Sequence, residues 1–175
     1  MRTTTRALVT SAALIGTAGT LTGLSTSTAT AAPETVRERG VVLECTGSHR
    51  GRDVRTEVYQ NGTYGNSVTV TIGDPERGGV HGQRNPRADV WSGRTVRATV
   101  RVDGRRATVS GPARRVGARI AVHEDFDDAG EHIVTDGFHR RVATDLVLAY
   151  RGEQVDLTCA EAFFYDLRVT KTPLA

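Results

Sequence analysis

Apolar and polar residues alternate at period two along most of this chain, the spacing of strands with one face in a core and one in water. Val41, Leu43 and Cys45 share one face of a first strand, Val54, Thr56 and Val58 one face of a second, and Val68, Val70 and Ile72 one face of a third. Turn-rich stretches at 60–66 and 73–87 bound that third strand. Asp103 and Gly104 form the pair a two-residue type I′ turn prefers, because both positions take positive φ. Such a turn fixes the register of a hairpin between 94–102 and 105–110. Counting outward sets Val100 opposite Ala107 and Ala98 opposite Val109 inside, with Thr99 opposite Thr108 and Arg101 opposite Arg106 outside.

Val116, Ala118, Ile120 and Val122 mark a further strand, followed by an acidic loop at 124–131 and a return strand holding Ile133. A second hairpin joins 144–150 to 153–159 through Arg151 and Gly152. It places Leu148 opposite Val155, Leu146 opposite Leu157, and Cys159 on the inward row. At 158–167 two patterns compete. Thr158 with Glu161 reads as a capping box, and Ala160, Phe163, Phe164 and Leu167 recur at helical spacing. Phe163, Tyr165, Leu167 and Val169 alternate instead, with aromatic and β-branched residues that favour a strand. The balance falls on the strand.

The pattern predicts an all-β fold: a single antiparallel domain of about 8–10 strands, an up-and-down barrel or meander, with a two-sheet β-sandwich as the alternative. The polar stretch 32–39 ahead of it reads as a flexible N-terminal segment, and 40–175 as the β domain. Residues 1–31 read as a signal peptide: Arg2 and Arg6 precede a modest apolar run at 7–24, and Ala29, Thr30 and Ala31 form the small-residue cleavage site. Thr10, Ser11, Gly16, Thr17, Gly19 and Thr20 interrupt that run, so it falls short of the roughly 20 apolar residues of a membrane span. Secretion as an extracellular protein without a membrane span is the expectation.

Two cysteines in an exported chain predict one disulfide, Cys45 to Cys159, between an early strand and a late one. Small antiparallel sheets stapled by cysteines near both ends occur in the bacterial lysozyme-inhibitor barrels, which this chain resembles in Cys45, Cys159 and its strand pattern. The likeness is one of architecture. No inhibitory motif of that family matches residue by residue.

Charge narrows the partners. The 23 basic residues less Arg2 and Arg6 leave 21 against 20 acidic, which gives no footprint for nucleic acid. Three groups carry candidate chemistry. His123, Asp125, Asp127, Asp128, Glu131 and His132 offer oxygen ligands suited to calcium and imidazoles suited to zinc, with the two histidines at the neck of the acidic loop. A solvated acidic loop is the plain alternative, and no metal or other cofactor is otherwise implied. Arg97, Arg101 and Arg106 form an exposed face for an anion or an acidic partner, since like charges opposite each other repel. Tyr64, Asn66 and Trp91 supply the flat faces and amide that sugar contact needs, although Asn in a turn and Trp in a core are commoner roles.

Enzyme signatures are mostly missing from the sequence, which favours a non-enzyme and leaves the question open. It holds no nucleophile elbow, no His-Glu-x-x-His and no phosphate-cradling glycine loop. Ser48 and His49 are adjacent on a strand and so point to opposite faces. The leading expectation is an extracellular binding module for a protein or a cell-envelope polysaccharide. Its rivals are a secreted enzyme inhibitor, with 73–87 as the loop that enters a target cleft, and a metal-dependent hydrolase built on His123 and His132.

Overall fold

The computed structural model describes residues 32–174; the expected leader lies outside them. Ten antiparallel strands follow one another: β1 Glu34–His49, β2 Arg52–Asn61, β3 Gly65–Ile72, β4 Val80–Arg84, β5 Trp91–Ser92, β6 Thr95–Val102, β7 Arg105–Asp128, β8 Glu131–Thr144, β9 Leu146–Tyr150 and β10 Glu153–Pro173. One turn of 3-10 helix at Pro75–Arg77 precedes β4.

Eight of these strands form a small closed barrel. Ladders run β4-β3-β2-β1-β10, on to β9, from β9 to β7, and from β7 to β6. The remaining seam lies between β4 and β6, where a Cβ on Gly82 would collide with the Arg101 carbonyl oxygen. Only glycine lets the two backbones approach this closely. Inside, the alternating rows meet: Val41 and Leu43 from β1, Val54 and Val58 from β2, Val70 from β3, Val100 from β6, Val109 from β7 and Leu148 from β9 are all buried.

Both expected hairpins have the expected registers. Val100 pairs with Ala107 and Arg101 with Arg106; Leu148 pairs with Val155 and Leu146 with Leu157. Asp103 and Gly104 take φ of 49° and 68°, and Arg151 with Gly152 takes 51° and 83°. Arginine thus accepts the left-handed region in the second turn, against its preference. Cys45 and Cys159 are bonded to each other and are also register partners of β1 and β10.

Three expectations change. The stretch 32–39 is not a frayed lead-in: from Glu34 it is strand, paired rung by rung with β10 from Lys171 to Asp166. Its local polarity concealed a partner that lies more than a hundred residues away. The acidic segment 124–131 is not a loop but the two arms of a hairpin, turning at Ala129 and Gly130 with φ of 51° and 82°. The stretch 73–87 is not a single loop: it holds the short helix and β4, and β4 pairs with β3.

Three strands, β1, β7 and β10, are long enough to serve twice. Beyond the barrel, the later halves of β7 and β10 hold β8 between them, and the first half of β1 flanks β10. The result is a four-stranded extension, β1-β10-β8-β7, continuous with the barrel wall. Bulges between Glu44 and Cys45 and between Arg115 and Arg119 mark the departure, and bulges bend and twist the strands that carry them.

Candidate functional site

Where the extension begins, the apolar row changes face. In the barrel part of β10, Val155 and Leu157 point inward, and so does Phe164. After Phe164 that parity carries Asp166, Arg168 and Thr170, while Phe163, Tyr165, Leu167 and Val169 lie on the outer side. The same inversion occurs on β1, from Val41 and Leu43 inside to Val42 and Val36 outside. β8 adds His139, Thr135 and Ile133 to the outer face, opposite Tyr165, Val169 and Lys171. β7 adds Ile120, Val122 and Phe126. The extension therefore has one apolar and one charged face, and the apolar one lies on the side opposite the barrel core, with Tyr165, Val169 and Thr135 buried in it and Ile120 and Phe126 exposed.

Curvature turns this face into a groove. One concavity, about 660 Å³, is lined by Val116, Ile120, Ala162 and Phe163 among others. A second, about 350 Å³, is lined by Tyr59, Val122, Leu167 and Tyr165. His139 and Phe163 belong to both, with ring centroids 5.7 Å apart. Tyr165 is buried and its hydroxyl donates to the Gln60 carbonyl at 3.3 Å; burial pushes its phenol well above the usual range. Asn61 donates to the Tyr59 hydroxyl at 2.8 Å and to Glu38 at 3.1 Å, which pins the wall on that side. Ile120 remains 55% exposed and Phe126 45%.

Carboxylates border the groove. Glu38 and Glu124 line the smaller concavity and Glu161 the larger, where Arg141 is the one cation lining it. Glu44 stands opposite both Glu57 and Glu161 in the ladders. Partial burial and those two carboxylates raise its pKa. The border favours a cationic neighbour.

The expected metal ligands are not gathered. His123 pairs across the hairpin with Asp136 and His132 with Asp127, four rungs apart, or about 14 Å along the strand. Asp128 and Glu131 point to the opposite face from both histidines. Among the described residues no group of three or more histidine, cysteine or acidic side chains is placed to hold a metal ion. Each histidine instead meets its own acid: His123 Nδ1 lies 2.7 Å from Asp136, and His132 Nδ1 lies 2.8 Å from Asp127 with Nε2 3.4 Å from Asp125.

Hydrogen bonding to these aspartates raises the pKa of both imidazoles. A raised folded-state pKa means the ion pairs are complete below the ordinary histidine range and dissolve as pH climbs through the shifted values. Titration by NMR is expected to find both histidines above the ordinary value of about 6.5, and Asp136→Asn to return His123 alone toward it. An unshifted His123 in the parent protein would remove the pair.

Arg101 and Arg106 do face each other outside β6 and β7, in a shallow hollow with Gln83, Arg84 and Thr99. Arg101 donates to the Gly104 carbonyl of its own turn at 3.2 Å. Arg97 lies further along the same strand, opposite Ser110. Tyr64, Asn66 and Trp91 share no surface. Tyr64 is 60% exposed, Asn66 spends its amide on the Pro86 and Ala88 carbonyls, and Trp91 is buried with its indole N–H donating to Ala113 at 3.2 Å.

At the barrel mouth Trp91 meets Phe164 edge-on, centroids 6.0 Å apart. The Arg115 guanidinium lies 4.0 Å from the Phe164 centroid and 5.1 Å from that of Trp91, and Arg39 lies 5.3 Å from Phe164. Desolvation, with Arg39 and Arg140 nearby, lowers the Arg115 pKa.

Sequence reading missed the groove because it lists residues strand by strand. Its signal was present in the adjacent Phe163 and Phe164, which put an aromatic ring on each face of one strand. No known protein family, curated protein or solved structure matches the chain, so the likeness to lysozyme-inhibitor barrels rests on strand pattern and cysteine placement alone.

Proposed function

We propose that this chain is an exported binding module that takes an extended, apolar segment of a protein, flanked by basic residues, in the groove on the outer face of the extension. The observation that carries the reading is the inverted parity. The apolar row that leaves the barrel core has half-buried Phe163 and Leu167 beside exposed Ile120 and Phe126, and apolar surface left open in this way marks interaction sites. The acid-bordered rim supports basic flanks on the ligand through electrostatic complementarity. Pockets for alternate side chains suit an extended peptide rather than a helix. Export is supported by the disulfide, which persists in oxidising compartments, and among the described residues no helix is long and apolar enough to cross a membrane.

Selection from a displayed library of random dodecapeptides tests the reading. Enriched sequences are expected to alternate aliphatic or aromatic residues and to carry lysine or arginine at the ends. Leu167→Lys, which places a cation on the floor of the groove, is expected to weaken the selected peptides by about a hundredfold, or close to 3 kcal/mol. Arg101→Glu, on the distant arginine face, is expected to leave them unchanged. If enrichment followed acidic peptides, or only Arg101→Glu reduced binding, the site would belong to the arginine face instead.

A further inference from the structure

The extension has two outer edges, and the molecule treats them differently. On the β1 side, the turn after β2 covers the edge: the Gly62 amide donates to the Arg39 carbonyl at 3.0 Å and the Thr63 hydroxyl to the Arg37 carbonyl at 2.9 Å. On the β7 side, pairing with β6 ends at Pro112, while β8 occupies the other side of the strand out to Asp128. From Arg119 to Asp128 the second side of β7 pairs with no strand among the described residues. No proline or bulge interrupts that run, and of the usual guards of an open edge it carries charges alone.

Charge on this edge is divided by sign. Arg119 precedes His123, with no acid between them; Glu124, Asp125, Asp127 and Asp128 follow it, with no base. Edge charges of one sign repel a second copy. Charges of opposite sign at the two ends of the run attract one, because antiparallel pairing lays the Arg119 end of each copy on the Asp127 end of the other.

We propose that two copies of this chain pair edge to edge through β7, antiparallel about a two-fold axis at His123. This register keeps the bulge between Arg115 and Arg119 outside the paired run. It sets Arg119 opposite the partner's Asp127 and Ile120 opposite the partner's Phe126, each twice by symmetry. Ile120 and Phe126 are among the few large apolar side chains the chain leaves exposed, and pairing covers one with the other. An axis centred on Val122 would instead oppose Ile120 to Glu124, and one centred on Ala121 would carry the bulge into the ladder. With the axis perpendicular to the sheet, both apolar outer faces lie on the same side, and the two four-stranded extensions join into one eight-stranded sheet. The interface is isologous, so it closes at two copies.

Sedimentation velocity on the disulfide-bonded chain at micromolar concentrations is expected to find a dimer. Arg119→Asp sets acid against acid at two places and is expected to weaken it by at least about tenfold. Adding Asp127→Arg to that variant restores opposite signs and the dimer with them. His123→Cys gives a cross-axis test, because Cys45 and Cys159 are already bonded to each other. Directly opposed residues have the Cα spacing a disulfide needs, so mild oxidation is expected to link the copies at position 123. Asp128→Cys places its two sulfurs on the order of 30 Å apart and is expected to give no link.

A particle of one chain throughout the concentration series overturns the proposal. So does a dimer indifferent to Arg119→Asp, or one that links as readily from position 128 as from 123. None of these substitutions touches Phe163 or Leu167, so loss of the dimer with peptide binding retained, or the reverse, separates this inference from the groove reading.

Discussion

Replacement of both Cys45 and Cys159 by alanine lowers the stability of the chain by about 5 kcal/mol on the chain-entropy scale for so long a loop, with the sequence separation of 114 as its input. For a domain of this size that corresponds to a fall in melting temperature of roughly 10 to 20 °C. The fold itself is expected to survive. Cys45 and Cys159 lie within a ladder between β1 and β10 that runs from Glu34–Lys171 to Thr46–Thr158, and its backbone bonds do not need the sulfurs. The bond acts chiefly on the unfolded chain, where it forbids the two ends of the barrel wall from separating. Urea unfolding of the oxidised protein and of the double variant, followed by far-ultraviolet circular dichroism, measures the difference. Coincident midpoints would show that the bond restricts the unfolded chain no more than its residual structure already does.

Phe164→Ala is expected to destabilise by about 4 kcal/mol, the scale of removing a buried aromatic ring and leaving its cavity. The ring is buried among Trp91 and Phe138, and it also lies under the Arg115 and Arg39 guanidiniums. Two contributions therefore separate. Phe164→Leu keeps most of the apolar volume and loses the aromatic face, so its cost beyond repacking reports the cation–π contacts, about 1 kcal/mol at a partly exposed site. A double-mutant cycle with Arg115→Ala isolates that coupling. An additive cycle would mean that Arg115 rests on the ring without being attracted to it. Because Phe164 sits at the step where the apolar row changes face, its removal is also expected to loosen the junction between barrel and extension, read as faster amide exchange in β8.

The strands were legible because their cause is local. A β-strand with one buried face writes its period into consecutive residues, and Asp103–Gly104 states a turn and a register in two letters. Hence the hairpin pairing of Val100 with Ala107 follows from counting, as does that of Leu148 with Val155. The two cysteines were legible for a similar reason, since both fell on inward rows of strands whose phase was already known. Other features depended on partners. Glu34 to Arg39 looks like a polar tail until the later half of β10 is laid beside it. The acidic run 124–131 looks like a loop because charges are frequent in loops, yet in the hairpin it meets His132, Ile133 and Val134 across the ladder.

The candidate site shows the same division. His123 and His132 are nine residues apart and seem to converge when the intervening acids are drawn as a loop. Strand pairing holds them four rungs apart and gives each its own aspartate. Trp91 offers a flat face on paper, and the barrel uses it as core. Conversely Phe163, Leu167, Val122 and Ile120 come from strands far apart in sequence, and only their adjacency in the extension makes them one groove.

Sequence by itself determined the extended backbone, the hairpin registers, the inward rows and the paired cysteines, because each depends on steric preferences and side-chain period within a few residues. Closure of the barrel at Gly82, the double use of β1, β7 and β10, the apolar groove and the unpaired edge of β7 belong to the tertiary structure alone. They depend on which strands become neighbours, and that is set by the burial of all the inward rows at once rather than by any one stretch of chain.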